Sequence, residues 1–222
     1  MKNNTLIVGE AFYSLQGEGR AIGTPCVFLR LGGCNLNCIW CDSVEVWKKG
    51  KLTAFENVLS EEHIEKLNAG AHLVITGGEP MLHQKAVIEY LEYIGNNYFV
   101  EVETNGTIMP SYDMLTRVQW WNVSPKLKNS NEPAIKRINE KVISTLASFN
   151  SIFKFVITKE EEMLEIAQDY SIPSEKLFLM PAGENRQELD LVRINVVQIA
   201  LKYCVRYSDR LHVVIWDKKT GV

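Results

Sequence analysis

The sequence predicts an α/β fold: a partial, TIM-like βα barrel of about six parallel strands. Three observations carry that expectation. Short apolar runs rich in Val, Ile and Phe alternate with longer amphipathic stretches, the pattern of βα units on a parallel sheet. Polar and glycine-bearing segments recur just after those runs, at the strand ends where parallel sheets keep their chemistry. Finally, 222 residues fall short of the roughly 250 of a complete eight-fold barrel, so one incomplete barrel over residues 1–222 fits better.

In chain order the strands are expected near Cys26–Leu31, His72–Thr76, Tyr98–Glu103, Gln119–Val123, Ile152–Ile157, Leu177–Met180 and Leu211–Trp216. Helices are expected near Glu61–Asn68, Gln84–Ile94, Lys141–Ser148, Glu160–Tyr170 and Gln187–Tyr207. The N-terminal segment from Glu10 to Gly19 is polar and glycine-rich, and by composition alone its Gly17-Glu18-Gly19 stretch reads as an exposed turn. The segments that follow the strands are residues 32–43, Gly77 to Pro80, Thr104 to Gly106, Ser124 to Lys126, Thr158-Lys159 and Pro181 to Gly183. The expected fold gathers them at one mouth.

Composition narrows the function classes. A net charge of −3 with no Lys/Arg stripe offers no field for a phosphate backbone, so nucleic acid is not an expected partner. No apolar run reaches the roughly 18 residues of a membrane span, and the N-terminus lacks a secretory pattern. Five unevenly placed cysteines do not make a secreted disulfide framework, so a cytoplasmic protein is expected.

Three of those five cysteines, Cys34, Cys38 and Cys41, lie within eight residues as CNLNCIWC. Thiolates at that spacing converge on a compact soft-metal centre, and three of them leave one position open. A tetrahedral zinc site or an ordinary electron-transfer cluster needs a fourth ligand, from Cys26, Cys204 or a histidine. Cys26 and Cys204 read more simply as small apolar residues. A [4Fe–4S] cluster with one iron open to a small molecule is the stronger reading, beside a distantly completed zinc site. Gly77-Gly78-Glu79-Pro80 alone reads as a turn, as does Ser124-Pro125-Lys126.

The C-x3-C-x2-C run with Trp40 before the last cysteine, followed by the GGEP segment, resembles the signature of the radical S-adenosylmethionine (SAM) superfamily. The resemblance implies a barrel of the radical SAM type and a [4Fe–4S] cluster on Cys34, Cys38 and Cys41. SAM would chelate the open iron, and its reductive cleavage would give a 5′-deoxyadenosyl radical. Gly78 and Glu79 would receive the SAM amino group, while Ser124, Pro125 and Lys126 would serve its ribose and carboxylate. Trp40, Cys41, Asp42, Glu103 and Met180 complete the implied SAM contacts.

The lead-in EAFYSLQGEG, the Gly23-Thr24-Pro25 and Phe28-Leu29-Arg30 segments, and Cys41-Asp42-Ser43 resemble the 7-carboxy-7-deazaguanine synthase family over nearly the whole chain. That family contracts the ring of 6-carboxy-5,6,7,8-tetrahydropterin with loss of ammonia, using SAM catalytically and Mg²⁺ as an aid. The resemblance gives the pterin to Leu15, Gln16, Gly17, Glu18, Arg30, Thr76 and His212, and Mg²⁺ to Ser43. It further implies an electron donor such as a flavodoxin or ferredoxin, and a homodimer. Two departures stand out: many members carry glutamine at the position of Met180, and the tail after His212 differs. Contact of the Val222 carboxylate with substrate is therefore left open, and His212 also reads as a core histidine. The rival readings are a radical SAM activase of a glycyl-radical enzyme and a metal-stabilised binding module without catalysis.

Overall fold

A computed structural model describes residues 4–95, 97–219 and 221–222. It is a mixed α/β fold around one nine-stranded sheet, ordered β3-β1-β2-β4-β5-β6-β7-β8-β9. The strands are β1 Thr5–Leu15, β2 Pro25–Leu31, β3 Lys51–Ala54, β4 His72–Gly77, β5 Val100–Thr104, β6 Trp120–Val123, β7 Ser151–Ile157, β8 Leu177–Pro181 and β9 Arg206–Tyr207. From β2 to β9 every neighbouring pair is parallel, whereas β1 runs antiparallel to both β2 and β3.

The helices fall between them: α1 Val44–Trp47, α2 Glu61–Asn68, α3 Gln84–Ile94, α4 Tyr112–Arg117, α5 Ala134–Arg137, α6 Glu140–Ala147, α7 Glu161–Asp169, α8 Arg186–Tyr203 and α9 Leu211–Trp216. Their starts are chemically marked. Ser60 caps α2 in a capping box with His63, and Ser111, Asn139 and Asn185 cap α4, α6 and α8 through side-chain oxygens.

Strand alternation divides the sheet into two unlike faces. Leu29, Leu31, Leu73, Ile75, Val102, Trp121, Val123, Phe153, Phe155 and Leu179 face the apolar core shared with the helices. The alternate residues Phe28, Arg30, Thr76, Glu103, Asn122, Ser124, Lys154, Val156 and Met180 line a cavity on the other face. A polar inner face on otherwise apolar strands marks where this fold holds its chemistry.

Three expectations need correction. Leu211–Trp216 is a short helix, not a strand. The two-residue β9 already pairs with the edge of β8, and Val213 is the buried residue by which α9 docks. The long helix ends at Tyr203, with Cys204 left-handed at its cap, instead of running to Tyr207. Gly17-Glu18-Gly19 is not an exposed turn, since both glycines are buried; residues 5–15 before it form β1, with a register shift between Val8 and Glu10. Its inward positions include Glu10 and Phe12, which line the cavity, so its polar composition reflects a wet inner face. The unread β1, β3 and β9 raise the strand count to nine, above the expected six.

Candidate active site

The cavity, about 700 Å³, opens at the C-terminal ends of the parallel strands. One wall is the loop after β2. Main-chain bonds shape it: the Gly32 N–H donates to Ile7 O (2.8 Å) and the Ile39 N–H to Ser130 O (3.1 Å). The Asn37 N–H donates to the Glu132 carboxylate, and the Trp40 indole donates to Asn129 O (3.0 Å). Gly78 meets this loop from β4, and a Cβ there would overlap the Gly33 carbonyl oxygen and press on Cys34 Cβ. Glycine is needed because two backbones touch.

Cys34, Cys38 and Cys41 are free, half-buried, and line the cavity together. Their sulfurs have few protein partners: the Leu36 N–H approaches Cys34 Sγ at 3.5 Å, and Ser43 Oγ lies 3.6 Å from Cys41 Sγ. Among the described residues, the His, Cys, Asp or Glu donors that gather three at a time within 4.8 Å are Cys26, His72 and Glu101. The three loop sulfurs do not form such a group, whereas the ligands of one zinc ion sit within that distance. Burial pushes the Cys34 thiol up to about 11 and raises Cys38 as well, so metal binding must displace their protons. The residues present fit a [4Fe–4S] cluster with three protein ligands.

Beside this wall stand Trp40, Asp42, Gly78, Glu103, Ser124, Lys126 and Met180, all lining the cavity. Lys126 Nζ donates to Ser124 O (2.9 Å) and Oγ (3.0 Å), and lies 5.4 Å from the centre of the Trp40 ring. Two expected residues do not line it. Pro125 sets the backbone between Ser124 and Lys126, and Glu79 turns inward. The Glu79 carboxylate is fully buried and accepts from Met81 N (2.9 Å), Thr104 Oγ1 (2.8 Å) and Asn105 N (2.7 Å). Burial raises its pKa despite those donors. Its geometry is that of a brace between two cavity loops, and the open main chain at this turn belongs to Gly78.

The same cavity is also lined by Leu15, Gln16, Gly17, Glu18, Arg30, Thr76, His212 and Val222. Glu103 joins them: its Oε1 accepts from Gln16 Nε2 (3.2 Å) and its Oε2 from Thr76 Oγ1 (2.9 Å). Arg30 pairs with Glu10 through Nε (2.9 Å), and its guanidinium carbon lies 5.8 Å from the centre of the Phe12 ring. His212, on α9, sits 3.9 Å from Glu18 and directly over Gly17, where a Cβ would overlap its ring. Burial lowers the His212 pKa against the pull of Glu18, so the ring is neutral above the usual histidine range.

Sequence reasoning missed two side chains that hold this part of the lining together. Lys154, buried in β7, donates to Glu18 Oε2. Arg210, just before α9, donates to Glu18 Oε1 through Nε (3.0 Å), to the Asp42 carboxylate and to Gly183 O. Burial by itself would raise the Glu18 carboxyl, but Lys154, Arg210 and His212 outweigh it and hold it far below the usual range. Glu18 is therefore a fixed anion that only accepts hydrogen bonds. The signal for Lys154 was present: one lysine in the middle of the apolar run SIFKFVI must find a buried partner. Arg210 carried no such signal, because its neighbours read as a strand.

Comparison with known proteins agrees with this geometry. The family described as "4Fe-4S single cluster domain" matches residues 15–114. The 7-carboxy-7-deazaguanine synthase of Halobacterium salinarum is 36% identical over 239 residues, covering 96% of this chain and 91% of its own. The enzyme of that name from Pyrobaculum aerophilum is 33% identical over 222 residues, covering 96% and 95%. The crystal structure of QueE from Escherichia coli superposes with a TM-score of 0.64 at 25% identity, covering 94% of this chain and 95% of that one. Fold and site together define a radical SAM enzyme with a [4Fe–4S] centre. Within that class the chain belongs to the 7-carboxy-7-deazaguanine synthase family.

Proposed function

We propose that this protein is a lyase converting 6-carboxy-5,6,7,8-tetrahydropterin to 7-carboxy-7-deazaguanine, with ring contraction and loss of ammonia, in 7-deazapurine (queuosine) biosynthesis. The observation that carries it is a shared lining: the three-cysteine loop and Gln16, Glu18 and Arg30 border one cavity of about 700 Å³. That volume lies within the range of small-molecule sites.

On this reading Cys34, Cys38 and Cys41 hold the cluster. Gly78, Glu103, Ser124, Lys126, Trp40, Asp42 and Met180 surround SAM, with Pro125 and Glu79 shaping the backbone behind them. Cluster and SAM, when bound, supply a hydrogen-abstracting radical. The chain's own work is to place the pterin against it and keep water out. Glu18, held anionic, accepts from the amino and ring N–H groups of the pterin, and Gln16 supplies a donor and an acceptor to its edge. Leu15 and Gly17 offer main chain to the same ring, and Thr76 a hydroxyl. The Arg30 fork takes the substrate carboxylate. His212 closes the pocket as a neutral ring, with the Val222 terminus beside it.

Ser43 supplies an oxygen for Mg²⁺, which prefers oxygen donors and is completed by substrate carboxylate and water. The polar inner face of the parallel strands supports a partial barrel, with the whole chain as one domain. A homodimer, a flavodoxin- or ferredoxin-type electron donor and a cytoplasmic location complete the proposal. Five free cysteines suit a reducing compartment. Among the described residues, no helix is long and apolar enough to cross a membrane.

Formation of 7-carboxy-7-deazaguanine by the reduced, cluster-loaded protein with SAM tests the reading. It should require the carboxypterin and no second protein. SAM cleavage that depends on a partner protein, with the pterin inert, would assign the chain to the activases instead.

A further inference from the structure

Below the cavity, at the N-terminal ends of the parallel strands, lies a second cluster of metal-ligating groups that the proposed chemistry does not use. Cys26 is the second residue of β2, His72 the first of β4 and Glu101 the second of β5. Parallel pairing sets Cys26 opposite His72, and Glu101 opposite Val74, so three adjacent strands aim at one point. One sulfur, one ring nitrogen and one carboxylate oxygen gather there within 4.8 Å of one another. None of the three residues lines the cavity above.

We propose that Cys26, His72 and Glu101 form an open, three-ligand site for a borderline-soft divalent cation of the zinc type. Three features support it beyond proximity. Glu101 is completely buried, and its partners are Asn122 Nδ2 (2.8 Å) and His72 Nδ1 (2.6 Å), with no lysine or arginine among them. A carboxyl group out of water needs polar or cationic partners, and a bound cation would add to the two that Glu101 has. The prospective ligands are also oriented from behind, as metal ligands characteristically are. Asn122 holds the far oxygen of Glu101, and Phe99 stacks on the His72 ring at 4.2 Å between centroids.

The donor set chooses the metal class. A thiolate with an imidazole and one carboxylate suits zinc and disfavours Mg²⁺ or Ca²⁺, which take oxygen shells. Three protein ligands leave a fourth position for water, and the partly exposed His72 side chain lies toward solvent. The ion would staple β2, β4 and β5 at the end opposite the cluster. Through Asn122, which also lines the cavity, it would steady the floor beneath the substrate.

Metal analysis of the cluster-loaded, full-length protein decides the matter. The protein is incubated with equimolar zinc, desalted, and assayed for zinc and iron together. About one zinc per chain is expected beside a full complement of iron, and a thermal transition above that of the zinc-free holoprotein. His72→Asn and Cys26→Ser should each lose the zinc while keeping their iron, which shows that fold and cluster are intact. Should Cys26→Ser lose its iron too, the partly exposed His72→Asn decides alone. No zinc on the wild-type protein, or undiminished zinc in an iron-replete variant, would overturn the site and leave an ordinary hydrogen-bonded cluster.

Discussion

Replacing Lys154 by methionine removes the ammonium from the most heavily charged part of the cavity wall while keeping the stem's volume. In the wild type Lys154 and Glu18 are a buried pair, with side chains 6% and 14% exposed. Breaking a buried pair from one side costs roughly 3–5 kcal/mol, because the remaining charge loses its compensation. Arg210 still touches Glu18 through Nε, so the lower end, about 3 kcal/mol, is expected. The pH dependence has a definite sign. The folded pKa of Glu18 lies below its ordinary 4.5, so its share of the stability is present above that value and is lost as pH falls through the folded pKa. Burial lowers the Lys154 pKa, but Glu18 outweighs it and raises the net value above 10.5; that share is present below 10.5 and is lost as pH rises through the folded pKa. The gap between wild type and Lys154→Met should therefore be flat from about pH 5 to 9 and narrow only on the acid and alkaline sides. Urea unfolding across that range measures it, and Lys154→Arg should recover most of the loss. A loss under about 1 kcal/mol, or a gap that varies steadily through neutrality, would refute the reasoning.

Three further predictions address the cavity. Arg30→Ala should keep its iron and SAM binding while KM for the carboxypterin rises roughly 10- to 100-fold, the worth of one or two charged hydrogen bonds, as steady-state kinetics would show. Gly78→Ala should cost about 1–3 kcal/mol and most of the bound iron, because its Cβ meets the Gly33 carbonyl backbone; iron and sulfide analysis with thermal melting checks both. Cys38→Ala should lose the cluster outright, seen as loss of visible absorbance and of sulfide, with circular dichroism of the sheet retained.

Much of the architecture was legible because periodicity and chemistry agreed. The helices Glu61–Asn68 and Gln84–Ile94 emerge at the expected bounds, and the parallel strands from β2 to β8 emerge within about two residues at each end. The failures have physical causes. LHVVIW has strand composition, yet the last position beside β8 is filled by Arg206–Tyr207, and the segment instead folds as a helix over Gly17. The strand β1, TLIVGEAFYSL, has no period-two alternation and carries Gly9 at its register shift, so no strand pattern marks it in the sequence. Among the residues that line the cavity, those in contiguous motifs were readable: the three cysteines, Gly78, Ser124 and Lys126. Lys154 and Arg210 act through partners 136 and 192 residues away in sequence, and only the fold brings them to Glu18.

The account rests on one cavity that holds a cluster-bound SAM against a carboxylated pterin. Anaerobic turnover with the carboxypterin, reductant, SAM and Mg²⁺, followed by chromatography of both pterin and SAM pools, addresses that claim most directly. Many equivalents of 7-carboxy-7-deazaguanine per SAM consumed are the predicted result. Consumption of SAM with the pterin returned unchanged would contradict it.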